Sequence, residues 1–220
     1  MPVTDPSRRR PGRPPKVDGS RQATRERLVR AGIEILTEQG FASTGIDAVL
    51  KRVGVPKGSF YHYFASKEAF GHAVIEGYAA YFARKLDRWL LDTSRAPLDR
   101  LRDFVADGKA GLRRFGFRRG CLIGNLGQEL GGTHAGLREP LEAVFADWQG
   151  RVARCLDDAV AAGDLAADAD TTRLAEIFWI GWEGAILRAK LVRDTAPVDL
   201  FTEHFFAGLP RPNPDPRNTR

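Results

Sequence analysis

Thr44 to Phe70 reads TGIDAVLKRVGVPKGSFYHYFASKEAF, and the punctuation of that stretch decides the fold. Thr44 and Asp47, spaced T-x-x-D, read as an N-cap with its capping box. Ile46, Val49, Leu50 and Val53 follow at i, i+3, i+4 and i+7, the buried stripe of a short helix. Gly54 breaks that helix, Val55 supplies an apolar plug, and Pro56 suits the first position of another helix. The next helix, Lys57 to about Tyr63, is only two turns long. It sets Phe60 and Phe64 on one face and the hydrogen-bond donors Lys57, Ser59, Tyr61, His62 and Tyr63 around the rest. Two short helices joined by such a turn form a helix-turn-helix pattern. Apolar anchors behind and compact donors in front suit a DNA major groove. Gly58, near the start, lets backbone come close to a phosphate. A plain helical hairpin in a bundle is the competing reading, and it leaves the exposed aromatics without an explanation.

Working outward, the periodicity stays helical from Ser20 to about Phe206, with no alternating strand and no internal repeat. A first helix spans about Arg21 to Gln39, with Leu28, Val29, Ile35 and Leu36 inward and Gly40 as its left-handed stop. Ser66 caps a long helix reaching about Leu91, and further helices are expected at 98–116, 121–130, 137–162, 171–192 and 198–206. Breaks fall at Gly120, Gly131-Gly132, Gly163 and Pro197. The expected fold is all-α: a three-helix DNA-binding head and a larger helical body. Four regions follow: a disordered basic arm at 1–19, the head at 20–66, an effector-binding and dimerisation body at 67–207, and a flexible tail at 208–220.

The charge lies at one end. The chain has 220 residues and a net charge of +6, and residues 1–30 hold nine basic side chains against three acidic. The other 190 residues balance at 25 of each sign. A basic head on a neutral body is the outline of a protein that docks on a polyanion. No apolar run approaches the roughly 18–20 residues that cross a bilayer, and the Arg/Pro-rich start is not a secretory signal. Two cysteines, Cys121 and Cys155, are too few for a disulfide scaffold or a four-thiolate zinc site, which makes a reducing cytoplasm the default. No cofactor or metal is expected.

The stretch 44–70, with Tyr61, Tyr63 and Phe64 followed by Lys67, resembles the DNA-binding domain of TetR-type transcriptional regulators, and the helical body has the expected size. The resemblance implies that Thr44, Lys57, Ser59, Tyr61, His62 and Lys67 face a near-palindromic double-stranded operator. Thr44, Tyr61 and Lys67 are assigned to phosphates; Lys57, Ser59 and His62 to base edges. Tyr63 stands where many relatives carry His. The resemblance also implies a bacterial cytoplasmic protein, nucleoid-associated when on DNA. It places a homodimer interface on the last two helices, where Leu174, Ile177, Phe178, Gly181, Trp182, Ala185 and Ile186 give wide apolar coverage. In the arm, Arg8 to Lys16 holds a Gly-Arg-Pro core similar to an AT-hook. It either inserts Arg13 into a minor groove or serves as a solubilising charge run.

Arg118 to Leu130, RRGCLIGNLGQEL, is the unusual segment of the body. Cys121 follows two arginines at a helix start, where dipole and guanidinium groups would lower a thiol pKa. An inert small core residue is the other reading, and the one given to Cys155. The run Arg119 to Leu126, with Gly184 to Lys190, is similar to the NemR/AcuR-type branch of the family. That resemblance implies a sensor for electrophiles or an acrylate-like acid built on Cys121 and Lys190. Arg118 and Arg188 are further cations for an anionic effector, and Asn125 and Gln128 share the helix face of the thiol at i+4 and i+7. Trp182 is placed near a pocket, with Trp148 and Trp179 in the core. Two rivals remain: a non-specific architectural DNA binder using the arm alone, and a thiol enzyme pairing Cys121 with His134.

Overall fold

The structure is a computed structural model that describes residues 18–212, so Arg13 and the rest of residues 1–17 of the arm lie outside the described residues, while Asp18 and Gly19, expected in the arm, open the first helix. Eight α-helices and one 3-10 helix follow one another without a strand among these residues. The head consists of α1 (Asp18–Gln39), α2 (Ile46–Val53) and the 3-10 helix Lys57–His62. The body consists of α3 (Lys67–Leu90), α4 (Pro97–Arg114), α5 (Leu122–Leu130), α6 (Ala135–Ala161), α7 (Thr171–Val192) and α8 (Ala196–Ala207).

The turn that defines the head forms as its residues dictate. Gly54 takes φ +70°, and its N–H reaches back to the Leu50 and Lys51 carbonyls. That left-handed stop is open to glycine without a Cβ clash. Val49 and Leu50 bury one face of α2, while Phe60 packs against Phe64 and Phe70 with ring centroids 5.4 and 5.7 Å away. The Arg27 guanidinium donates to the Val53 carbonyl at 2.7 Å and so closes the end of α2 from α1.

Two local expectations are corrected. Thr44 is not the N-cap of α2: Gly45 holds that position with no side-chain cap. The Thr44 hydroxyl donates instead to the Gly40 carbonyl at 2.6 Å, and the residue is 2% exposed. A Thr hydroxyl that finds a carbonyl four residues back takes the local bond, and the capping box never forms. The second helix of the motif is a 3-10 helix with Pro56 as its N-cap, tighter than the expected α-helix.

Ser66 caps α3 as expected, its Oγ accepting from the Ala69 N–H at 3.0 Å. Around α3 the body closes on an aromatic core. Trp148 of α6 lies 4.4 Å from the Phe82 ring and 5.1 Å from Trp179, and Phe104 of α4 lies 5.1 Å from Trp182. Gly181 allows α7 to approach α8, since a Cβ there would overlap the Phe201 ring. The stop after α7 is Arg193, at φ +54°, and Pro197 belongs to the first turn of α8. The chain stays attached past α8: Leu209 is buried and the Pro210 carbonyl accepts the Ala166 N–H at 3.0 Å. The expected loose tail therefore gives way to packed chain as far as Pro210.

Candidate DNA interface and effector cavity

The outer face of the head gathers the polar residues of the 3-10 helix. Tyr61 is 69% exposed, His62 is exposed, and Ser59 is half-buried. The Lys57 side chain is 82% exposed, with its ammonium 2.6 Å from Asp47 of α2. That bond, first, and the Asp47 charge raise the Lys57 pKa, so Lys57 stays a cation. A Cβ at Gly58 would meet nothing within 4 Å, which leaves the backbone there open to approach. The Arg21 guanidinium donates to the His62 carbonyl at 2.5 Å and ties α1 to this face. Tyr63 is half-buried and lines a shallow groove with Arg21, Gln22 and Arg25.

Two residues assigned to phosphates sit differently. Thr44 is buried with its hydroxyl spent, so only the exposed start of α2 at Gly45 can offer N–H groups to a phosphate there. Lys67 is half-buried, its ammonium 4.7 Å over the Phe41 ring and donating to the Ala42 carbonyl at 3.4 Å.

Behind the head lies a cavity of about 900 Å³. Its walls come from α1 (Val29, Arg30, Ile33), α3 (Tyr78, Tyr81, Arg84), α4 (Phe104, Leu112) and α7 (Trp182, Ile186), with Cys121 at the start of α5. The first helix of the DNA-binding head is thus one wall of the chamber. Trp182 reaches it, as expected from its place on α7. Arg25, Arg30, Arg84, Lys85 and Arg119 bring positive charge to the lining, against Glu26, Glu34 and Glu76. These cations come from α1, α3 and the segment before α5, which are far apart in the chain and meet only in the folded body.

Cys121 is 6% exposed and is the N-cap of α5, its sulfur accepting the Gly124 N–H at 3.4 Å. The expected low-pKa thiolate is overturned. Burial, and then the negative charge of Glu183, push the thiol well above its ordinary value, and the N–H bond from Gly124 offsets only part of this. The arginines expected to stabilise it point elsewhere. Arg118 is exposed and is not among the cavity-lining residues. Arg119 binds Glu38 at 2.6 Å and covers the Phe115 ring. Cys155 is buried with its thiol raised to about 11 by burial, in keeping with an inert core residue.

Lys190 does come to Cys121: its side-chain stem lies over Gly120, where a Cβ would be 2.9 Å from Lys190 Cδ. The ammonium donates to Asn125 Oδ1 at 3.2 Å, and burial lowers its pKa. Asn125 in turn donates from Nδ2 to the Thr37 carbonyl of α1 at 3.1 Å. Asn125 is therefore a bridge between α1 and α7 and is not part of the cavity lining. Gln128, expected beside the thiol, is exposed. Arg188 is exposed as well.

Two residues escaped sequence reasoning. Glu129 accepts the N–H groups of Phe41 and Ala42 at 2.8 and 2.6 Å, a grip from α5 on the loop between α1 and α2. Glu183 sends a carboxyl into the interior beside Gly124, where a Cβ would lie 2.9 Å from Glu183 Cδ and 3.7 Å from Cys121 Cβ. Its Oε1 is buried and finds no hydrogen-bond partner among the described residues, and burial raises its pKa to about 7. A lone acid within the apolar run FWIGWEGAIL was the signal available. His134, the partner needed for a thiol enzyme, lies just past the far end of α5. Nine residues of helix separate it from Cys121, about 13 Å at 1.5 Å per residue.

A three-helix head with a Gly54 turn, an outward polar 3-10 helix and a chambered helical body behind it defines a helix-turn-helix regulator of transcription. Comparison with known proteins is specific. Residues 28–74 match the family of bacterial regulatory proteins of the tetR type, and residues 97–205 match the tetracyclin repressor-like C-terminal domain. The chain belongs to the TetR family and is a DNA-binding transcriptional repressor of that family. It is 51% identical over 210 residues to the transcriptional regulator AcuR of Cereibacter sphaeroides, covering 93% of this chain and 95% of AcuR. A crystal structure of a TetR regulatory protein from Rhodobacter sphaeroides superposes with a TM-score of 0.81 at 53% identity, covering 84% of this chain and 98% of that one. The reduced form of NemR from E. coli superposes at 0.79 with 28% identity, covering 87% and 100%. The similarity to AcuR and to NemR supports a place in the NemR/AcuR branch of the family.

Proposed function

We propose that this repressor binds a near-palindromic operator as a homodimer and leaves it when an acrylate-like unsaturated acid, or another thiol-reactive electrophile, reaches Cys121. One observation carries the reading. Cys121 both lines the cavity and caps α5, the helix whose Asn125 and Glu129 hold α1 and the α1–α2 loop of the head. An adduct on that sulfur adds bulk to a side chain only 6% exposed and so strains the Gly124 N–H bond and the close packing around it. Displacing the start of α5 then moves the head that the helix holds. Lys190 stands beside the thiol but outside the cavity lining, with its ammonium on Asn125, so a carboxylate effector in the cavity meets first the lining cations Arg30, Arg84 and Arg119. The similarity to AcuR and NemR supports the same branch of effectors.

The dimer reading rests on the outward faces of the last two helices. Ile177, Ile180 and Leu191 of α7 and Leu200 of α8 are exposed apolar side chains, while Phe178, Trp182, Ala185 and Ile186 are turned into the core. The expected interface set thus splits between two faces, and the outward one is left for a second copy. Base reading falls to Lys57, Ser59 and His62, with Tyr61, Lys67, Gly58 and the start of α2 on phosphates. Release by a hundredfold requires the effector to favour the non-binding conformation by about 3 kcal/mol.

Intact-mass measurement after exposure to acrylate and to N-ethylmaleimide, alongside operator release, tests the proposal. The expected result is one adduct on Cys121 that tracks release, and a Cys121→Ser variant that binds operator and stays bound. Full release of that variant would remove Cys121 as the sensor. A salt titration on operator and random DNA addresses the architectural alternative, which predicts equal affinity and slope.

A further inference from the structure

Around the sulfur of Cys121 the fold collects three other titratable groups: Glu183 and Lys190 from α7 and Tyr78 from α3. Lys190 already has a partner in Asn125. Tyr78 is buried, and burial drives its pKa far up, so it stays neutral. Glu183 is different. Its carboxyl stands over Gly124, the residue whose N–H holds the sulfur, and its Oε1 has no hydrogen-bond partner among the described residues. The carboxyl's one hydrogen-bonding neighbour is the Cys121 thiol itself, and a buried carboxyl oxygen left otherwise unpaired is costly and marks a site where a proton is used. The thiol poses the matching problem: it is buried, carries its proton at neutral pH, and so is a poor nucleophile until a base takes that proton.

We infer that Glu183 is the proton relay for Cys121, accepting the thiol proton as sulfur attacks an α,β-unsaturated carbonyl compound in the cavity and returning it to the product. The inference rests on the covalent reading of Cys121 given above. The thiol proton passes to the Glu183 carboxylate while a sulfur lone pair forms the C–S bond at the β-carbon. The C=C π pair moves toward the carbonyl oxygen as an enolate. The α-carbon then takes the proton back from Glu183, leaving a thioether and Glu183 ionised as at the start. The net change is addition of S–H across C=C, with no oxidant, reductant or leaving group. The Glu183 pKa of about 7 places the exchange of that proton at working pH.

The rate of adduct formation on the full-length protein with N-ethylmaleimide, followed by intact mass from pH 5 to 9.5, tests the assignment. The wild-type rate is expected to rise through pH about 7 and level off. Glu183→Gln is expected to react about a hundredfold more slowly at pH 8, with a rate that keeps climbing toward the thiol's own ionisation above 9.0. Glu183→Asp should recover a plateau, at a lower rate. A Glu183→Gln protein that reacts within threefold of wild type, with the same profile, overturns the relay and leaves covalent sensing intact. A wild-type protein that releases operator without gaining mass overturns covalent sensing and the relay together. Cooperative melting confirms that each variant is folded. Should Glu183→Gln fail to melt cooperatively, the Glu183→Asp profile decides: wild-type rates and midpoint overturn the relay.

Discussion

Glu129→Ala cuts the grip between the sensor helix and the head. The carboxylate accepts two backbone N–H groups, from Phe41 at 2.8 Å and Ala42 at 2.6 Å, beside Gly40 at φ +82°. Hydrogen bonds to a charged acceptor contribute about 1.5–3 kcal/mol each when buried. The Phe41 bond is part-buried and the Ala42 bond exposed, so about 2–3 kcal/mol for the pair is the reasonable sum after solvent screening. The direct assay is hydrogen exchange in the segment from Gly40 to Thr44. A loss of about 2 kcal/mol in local opening accelerates exchange about thirtyfold at Phe41 and Ala42. Operator affinity should fall about tenfold if half or more of the lost energy had been orienting the head. Glu129→Gln keeps one acceptor oxygen for one of the two donors and should fall between the extremes. Exchange rates and operator affinity equal to wild type in Glu129→Ala would refute the idea that α5 holds the head through this carboxylate.

Three other outcomes are expected. Ile180→Asp puts a charge on the outward stripe of α7, where the side chain is 74% exposed in the single chain; a two-fold interface would receive that charge twice, so sedimentation should find monomers, and an unchanged dimer mass would move the interface elsewhere. Lys57→Ala and His62→Ala should each weaken specific operator binding by about 1–3 kcal/mol while leaving effector-driven release unchanged, read by anisotropy with operator and scrambled DNA. Glu183 gives stability its own pH dependence. The folded carboxyl holds its proton up to about 7 and the unfolded one only to 4.5, so stability is full below 4.5 and declines by about 3 kcal/mol as pH rises through the folded value. Urea denaturation at pH 5 and pH 8 should show that decline in wild type and not in Glu183→Gln.

Much of this architecture was legible because its causes are local. Gly40 and Gly54 stop helices in the left-handed region, Ser66 caps α3, and the spacing of Val49, Leu50, Phe60 and Phe64 marks the buried side of the head. Where the reading failed, a competing partner intervened. The Thr44 hydroxyl took the Gly40 carbonyl four residues back in preference to capping α2. The segment after Pro56 tightened into a 3-10 helix, with the Ser59 N–H on the Pro56 carbonyl. The expected range 171–192 for α7 holds, with a left-handed Arg193 as its stop and Pro197 in the first turn of α8.

The site divides along the same line. That residues 44–70 make a helix-turn-helix, that the positive charge lies beside it and that Cys121 begins a helix follow from sequence, because caps, turns and periodicity act over a few residues. The condition of the thiol does not. Its pKa depends on burial and on a carboxyl from α7, and its tie to the head runs through Asn125, which joins Thr37 and Lys190 across 88 and 65 residues of chain. The two arginines next to Cys121 in sequence suggested an activated thiolate; folding turned one to solvent and the other to Glu38, and brought Glu183 in their place. Electrostatic environment is set by distance in space and by exclusion of water, and only the tertiary structure determines either.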